Sequence, residues 1–149
     1  MVVTYRALTV ADHEFCVRVH HLSMRDYVEP LWGWNELQQD SLALEFLNHH
    51  DSTHEIAIVS EIPIGYLSYQ EKADVLQLNK LHLHPKYQGR GYGAEIMVRL
   101  VRLAYSSNKP IELSVLTTNP RARQFYVRQW FIAVSETRQK VRMRRSCER

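Results

Sequence analysis

Three of the five glycines in this 149-residue chain fall at positions 89, 91 and 93. They lie in the stretch LHLHPKYQGRGYGA, residues 81–94, between a segment with strand-like alternation and one with helical periodicity. Glycines at a strand-to-helix junction let successive backbone N–H groups converge on an anion at the positive end of the helix. Lys86 and Arg90 add charge to the same loop. A phosphate or pyrophosphate ligand is the direct physical inference, and it requires an α/β architecture around the loop.

The pattern along the rest of the chain supplies one. Residues 2–7 read as a strand, and Thr9 or Asp12 caps a helix running to about Tyr27, which Pro30 and Gly33 then break. Apolar spacing (Leu37, Leu42, Leu44, Phe46, Leu47) predicts a helix over 36–48. Strands follow at 55–60 and 64–70, joined by a tight connection at Glu61-Ile62-Pro63. In the strand 75–84, Leu76 and Leu78 alternate in one phase and Leu81 and Leu83 in the other. A strand has period two, so one extra residue near Asn79-Lys80, a β-bulge, would account for the flip; a strand buried on both faces is the alternative. A helix at 93–104, a strand at 111–116, a helix begun by Asn119-Pro120 and a terminal hairpin (131–134 and 140–143) complete the order. The strands flanking helix 93–104 are expected to pair in parallel through a right-handed crossover. The fold class is therefore α/β in the α+β mixed-sheet sense. About seven strands are expected, mostly antiparallel, with a central parallel pair splayed at the bulge and helices on both faces.

Composition narrows the class. Hydrophobic residues make up 45% and charged residues 23%, ordinary for one globular domain spanning residues 1–149. No run of 18 apolar residues could span a membrane, and the N-terminus lacks the layout of a secretory signal. Cys16 and Cys147 are far apart and fit neither a disulfide framework nor a cysteine zinc site, which suits a cytoplasmic protein with free thiols. The net charge of +3 is uneven: from Arg121 to the C-terminus, eight arginines and one lysine face only Glu136 and Glu148. Such a segment suits a polyanion or a phosphorylated cofactor. It forms no recognised reading module, so nucleic acid is not the expected partner.

Three phosphate-binding patterns compete at the glycine loop. A P-loop needs Lys and Ser/Thr after its last glycine, but Ala94-Glu95 follows here. The dinucleotide fingerprint is nominally matched by Gly89, Gly91 and Ala94, yet the next strand carries its acidic residue, Glu112, at the wrong end. The pattern Q/R-x-x-G-x-G/A is matched by Gln88, Gly91 and Gly93. That loop, a long helix, a strand and then NPRARQFYVRQWF resemble the GNAT superfamily of N-acetyltransferases over roughly residues 54–143. The segment RDYVEPLWGWNE is similar to a bacterial subgroup of that superfamily.

The resemblance implies acetyl-CoA as co-substrate. Its pyrophosphate would rest on the amides of Gly89, Arg90, Gly91, Tyr92, Gly93 and Ala94, with Gln88 opening the loop. Its pantetheine arm would pair like an extra strand with backbone groups of Leu81 and Leu83. Asn119 matches the family asparagine near that arm, and Tyr126 matches the tyrosine beside the thioester sulfur. A neutral amine would attack the carbonyl, with a backbone N–H near Leu83 as oxyanion donor. A phenol near pKa 10 is a weaker acid than a thiol near 8.5, so full proton transfer runs uphill by about 2 kcal/mol. Tyr126 is thus a hydrogen-bond donor to sulfur first and a general acid second. By helical spacing alone, it would pass for a core aromatic beside Phe125.

Two departures from the family pattern stand out. Asn79 occupies the strand position where many members carry a glutamate, and it cannot accept a proton. Glu29, Glu36, a histidine acting through water, or bulk solvent are then the alternatives. Trp130 stands where the family often has the glycine of a helix-ending left-handed turn. Tyr27, Trp32 and Trp34 crowd the loop after the first helix, and with Glu29, Glu36 and Asn79 they are the candidate acceptor-binding residues. The eight histidines show no metal-ligand spacing, so no metal is expected. An acetyl-CoA-dependent N-acetyltransferase acting on a small amine or a peptide or protein is the primary reading, and a homodimer is compatible with it. The alternative is a non-catalytic acyl-CoA-binding or regulatory module on the same fold.

Overall fold

The computed structural model describes residues 2–147. Strand β1 (Thr4–Ala7) leads through a short 3-10 turn into α1 (His13–Trp32) and α2 (Glu36–Leu47). Then come β2 (Thr53–Val59), β3 (Ile62–Glu71), β4 (Leu76–Leu83), α3 (Tyr92–Ser106), β5 (Ile111–Leu116), α4 (Pro120–Arg128), β6 (Ile132–Glu136) and β7 (Lys140–Arg145). One seven-stranded sheet runs β1-β2-β3-β4-β5-β7-β6, with β4-β5 parallel and every other pair antiparallel.

Helices cover both faces of this sheet. Ile56 and Tyr66 join Cys16 and Val19 of α1 and Leu47 of α2 in one buried cluster. Their chain neighbours Ala57 and Leu67 belong to a larger cluster with Ile96, Met97 and Leu100 of α3. Adjacent strand residues point to opposite faces, so the two clusters lie on opposite sides of the sheet.

The bulge falls where the phase flip puts it. Ser68 pairs with Lys80 and Tyr69 with Leu78, leaving Asn79 as the extra residue of β4. The consequence is that Leu76, Leu78, Leu81 and Leu83 all reach the larger core despite their change of phase. The parallel pairing of β4 with β5 is confined to Leu76↔Ile111 and Gln77↔Glu112. Beyond the bulge the two strands separate.

Three local readings need correction. The first helix continues past Tyr27 through Pro30 to Trp32. A proline three residues from a helix end forfeits only one ladder bond, so the actual stop is Gly33, at φ +73°, whose N–H donates to the Glu29 carbonyl at 2.8 Å. The β2–β3 turn is Ser60-Glu61, both at positive φ, and Pro63 already lies within β3. This is a two-residue hairpin turn made without its usual Asn or Gly, so it leaves little trace in the sequence. In α2, Leu37, Leu42 and Leu44 are exposed; the helix is anchored by Ala43 and Leu47.

Trp130 adopts φ +71° one residue beyond the cap of α4, and its side chain is 80% exposed. The Phe131 N–H donates to the Tyr126 carbonyl and the Trp130 N–H to the Val127 carbonyl, both at 3.0 Å. That is the Schellman arrangement, built on a residue with a Cβ. A left-handed residue costs about 1–2 kcal/mol, while glycine adds backbone entropy worth about 0.5–1 kcal/mol to the unfolded chain. Trp130→Gly should therefore stabilise the protein by about 0.5–1 kcal/mol, read from its urea midpoint. A lowered midpoint would mean that the indole supports the turn through contacts of its own.

Candidate active site

The divergence of β4 from β5 opens a cavity of about 380 Å³. Its walls come from four places. The end of β4 contributes Leu81, His82 and Leu83; the loop and the start of α3 contribute Gln88, Gly89, Gly91, Gly93 and Ala94. The start and inner face of α4 contribute Asn119, Arg121 and Tyr126, and α1 closes the space with Ser23, Met24 and Tyr27.

Backbone phase decides what β4 offers. The His84 N–H donates to the Ile64 carbonyl at 2.8 Å, across from the pair Gly65↔Leu83. In an antiparallel ladder this makes Leu83, and by period two Leu81, non-hydrogen-bonded positions towards β3. Their N–H and C=O groups face the gap left by β5. Gly65 is required opposite: a Cβ there would sit 2.2 Å from the His82 carbonyl oxygen, against backbone that cannot yield. Gln88 turns back and its side-chain amide donates to the Leu83 carbonyl at 2.9 Å.

The loop is shaped by its glycines. Gly89 and Gly91 adopt φ +73° and +87°. Gly91 is the N-cap of α3, makes no side-chain cap, and leaves the amides of Tyr92, Gly93 and Ala94 at the start of the helix dipole. Its own missing Cβ would meet nothing within 4 Å, so that face of the loop is open. At Gly93 a Cβ would lie 3.3 Å from Phe125, which is how closely α3 approaches α4. Arg121 stands over the loop, its guanidinium 3.5 Å from where a Gly89 Cβ would be. Arg90 is exposed beside the Tyr87 ring, and the Tyr92 ring is buried, so only the Tyr92 backbone can serve a ligand.

Asn119 caps α4 by accepting the Ala122 N–H at 3.1 Å, with Pro120 in the first turn. That cap aims the helix so that Tyr126 reaches the cavity. The Tyr126 ring is packed edge-on by Phe125 and Phe131, at 5.0 and 5.4 Å between centroids. Burial raises its hydroxyl well above the ordinary phenol range. The group therefore stays protonated at neutral pH.

The acceptor candidates are scattered. Tyr27 lines the cavity. Glu29 pairs with Arg25 at 3.2 Å on the outer surface, and Trp32 is 54% exposed. Glu36 lines a separate groove between α1 and α2, 3.3 Å from His21. Trp34 stacks on His20, and Asn79 is exposed with its amide 3.4 Å from Gln70. Five of the six therefore do not reach the cavity: the continuation of α1 through Pro30 carries Glu29 and Trp32 outward, Trp34 and Glu36 lie beyond its end, and Asn79 sits exposed at the bulge of β4. The cavity also contains residues that sequence reasoning passed over. Ser23 and Met24 recur with Tyr27 on one face of α1, a spacing legible only once the helix is known to cross the site. His82 also lines it, though not as part of a metal centre: among the described residues no three ligating side chains cluster for a metal ion.

These features have counterparts in known proteins. The Acetyltransferase (GNAT) family matches residues 16–131. An uncharacterized N-acetyltransferase of Archaeoglobus fulgidus is 35% identical over 66 residues, 44% of this chain and 45% of that protein, so the match spans less than half the relative's length. Among solved structures, the PaiA N-acetyltransferase of Thermoplasma acidophilum in complex with coenzyme A superposes with a TM-score of 0.80 at 18% identity, covering 98% of this chain and 99% of that one. An acetyltransferase of Thermus thermophilus gives 0.79 at 19%, covering 98% and 97%. At these identities the structures establish the fold. With the family match spanning most of the chain, the splayed parallel pair and glycine-capped third helix place this protein in the GNAT acetyltransferase family, whose co-substrate is acetyl-CoA.

Proposed function

We propose that this chain is an N-acetyltransferase that moves the acetyl group of acetyl-CoA to a primary amine of a small molecule or of a peptide or protein. One observation carries the reading. The open backbone edge of Leu81 and Leu83, the amides at the start of α3 and the Tyr126 side chain all border a single cavity. The residues fit the co-substrate. The cradle formed by Gly89, Gly91, Gly93 and Ala94 suits a pyrophosphate, with Arg121 and Arg90 adding positive charge. The free edge of β4 suits an extended amide-bearing arm, and Asn119 lies beside it. Bound acetyl-CoA supplies an activated thioester. The Leu83 N–H, turned into the gap, is placed to hold negative charge on a carbonyl oxygen. Tyr126 donates a hydrogen bond to the departing sulfur, and its raised pKa keeps it from ionising.

The non-catalytic alternative has one observation in its favour: among the described residues, no carboxylate lines the cavity. Calorimetric titration with acetyl-CoA and CoA, followed by thiol release across a panel of primary amines, separates the two. Binding with turnover supports the transferase, whereas binding without turnover of any amine supports the alternative. The basic C-terminal segment does not argue for nucleic acid. Arg123 and Arg144 pair with Glu136 and Glu112 at 3.3 and 3.7 Å, and Arg145 donates to the Gln129 carbonyl at 3.1 Å. Retention on DNA at about 150 mM salt should accordingly be weak. With two unpaired thiols, Cys16 and Cys147, the cytoplasm is the compartment this reading assigns.

A further inference from the structure

The amine must lose a proton, and Asn79 cannot take it. Among the cavity-lining residues, only one side chain is a neutral nitrogen base, His82. It follows the bulge on β4 and points away from the leucine face, towards α1. Its ring meets His20 of α1 at 5.8 Å between centroids and Tyr66 of β3 at 5.4 Å. His20 is itself held in place. Its Nε2 is 3.0 Å from the Gln39 Oε1 of α2, and its ring stacks on Trp34 at 5.9 Å. A neutral imidazole has one donor and one acceptor nitrogen. With Nε2–H given to Gln39, Nδ1 is left as the acceptor, and that atom is buried with no partner. A buried polar atom without a partner costs on the order of 1–3 kcal/mol, which invites a functional explanation.

Resting on the transferase reading, we propose that His82 accepts the proton lost by the attacking amine. His20, oriented by Gln39, then receives the second ring N–H of His82 and steadies its protonated form. The atoms balance. The amine nitrogen bonds to the acyl carbon, the carbon–sulfur bond breaks, and its electron pair leaves with sulfur. The N–H proton moves to a ring nitrogen of His82, which later yields it to water or to the thiolate. His82 is thus the catalytic base, while His20 and Gln39 are positioning residues.

The electrostatics agree with this order of events. Burial holds His82 well below the ordinary histidine range, the Lys80 ammonium and the His20 ring push the same way, and the Leu81 carbonyl opposes them. His20 is lowered chiefly by burial too, and burial lowers Lys80 and raises Tyr66. Both imidazoles are therefore neutral at pH 7. So weak a base removes little from a free ammonium ion. It is suited to the more acidic proton of a nitrogen already bonding to carbon.

Two measurements test this. In the protein alone, long-range proton–nitrogen NMR should show His20 as the Nε2–H tautomer, and His82→Gln should move the His20 Nδ1 resonance. In turnover with acetyl-CoA and the best amine of the panel, His82→Gln should lower kcat by about 100-fold with acetyl-CoA affinity unchanged. His82→Ala should be partly rescued by added imidazole. Gln39→Leu, which leaves His82 in place, should scramble the His20 tautomer and lower kcat by about 10-fold, a readout that survives if the His82 variants fold poorly. Parent-like rates and an unmoved His20 resonance in His82→Gln would overturn the assignment of His82. Failure of the parent to bind acetyl-CoA, or to turn over any amine, would instead overturn the transferase reading and this step with it.

Discussion

Gly91→Val should weaken acetyl-CoA and CoA binding by at least about 100-fold, equivalent to about 2.7 kcal/mol, while the fold survives. Gly91 sits at φ +87° as the N-cap of α3, a conformation that costs a β-branched residue most. No atom lies within 4 Å of the new Cβ, so the side chain can be housed without unfolding the sheet. The space it takes is the open face of the loop, where a phosphate must approach the amides of Tyr92, Gly93 and Ala94. Relaxing the strain would turn those same amides away. Both routes remove binding, so the loss does not depend on which one the valine takes. Calorimetry measures the affinity, and circular dichroism checks the fold. Undiminished CoA affinity in a folded Gly91→Val protein would remove the loop from the cofactor site.

Tyr126→Phe should leave acetyl-CoA affinity in place and lower turnover by roughly 10- to 1,000-fold, the range of typical acid–base and oxyanion contributions. The ring is held by Phe125 and Phe131, and phenylalanine preserves those contacts. Among the described residues the hydroxyl has no hydrogen-bond partner within the protein, so the melting temperature should change little. The smaller effect is expected if the thiolate leaves unaided, which its modest basicity permits. A parent-like rate in Tyr126→Phe from pH 6 to 9 would reduce Tyr126 to packing. The two substitutions separate the halves of the site, since one removes binding and the other removes turnover.

Much of this arrangement is legible before folding because it is written in local stereochemistry. The phase change between Leu78 and Leu81 can be read from period two alone, and the structure places the extra residue at Asn79. Asn119-Pro120 announces a helix start because a side-chain acceptor and a fixed φ serve the first turn, as the Asn119–Ala122 bond bears out. Glycines at 89 and 91 mark a loop that needs positive φ. Where the local signal is weak, expectation and structure part. Ser60-Glu61 makes a left-handed turn with residues that do not advertise one, and Pro30 is tolerated where only one ladder bond is at stake.

The α1 side of the cavity is another matter. Glu29 and Trp32 are near Tyr27 on the same helix, yet only Tyr27 reaches the cavity, because a helix sends neighbouring residues to different faces. His82, His20 and Gln39 meet from β4, α1 and α2, three elements whose distances in the chain say nothing of their contact. Local rules act over a few residues and set backbone angles and period. The sequence alone therefore determined the glycine loop, the bulge and the placement of Tyr126 on a capped helix. Which side chains share the cavity depends on the rotation of α1 against β4 and on the divergence of β5. Those are set by burial across the sheet, and only the tertiary structure decided them.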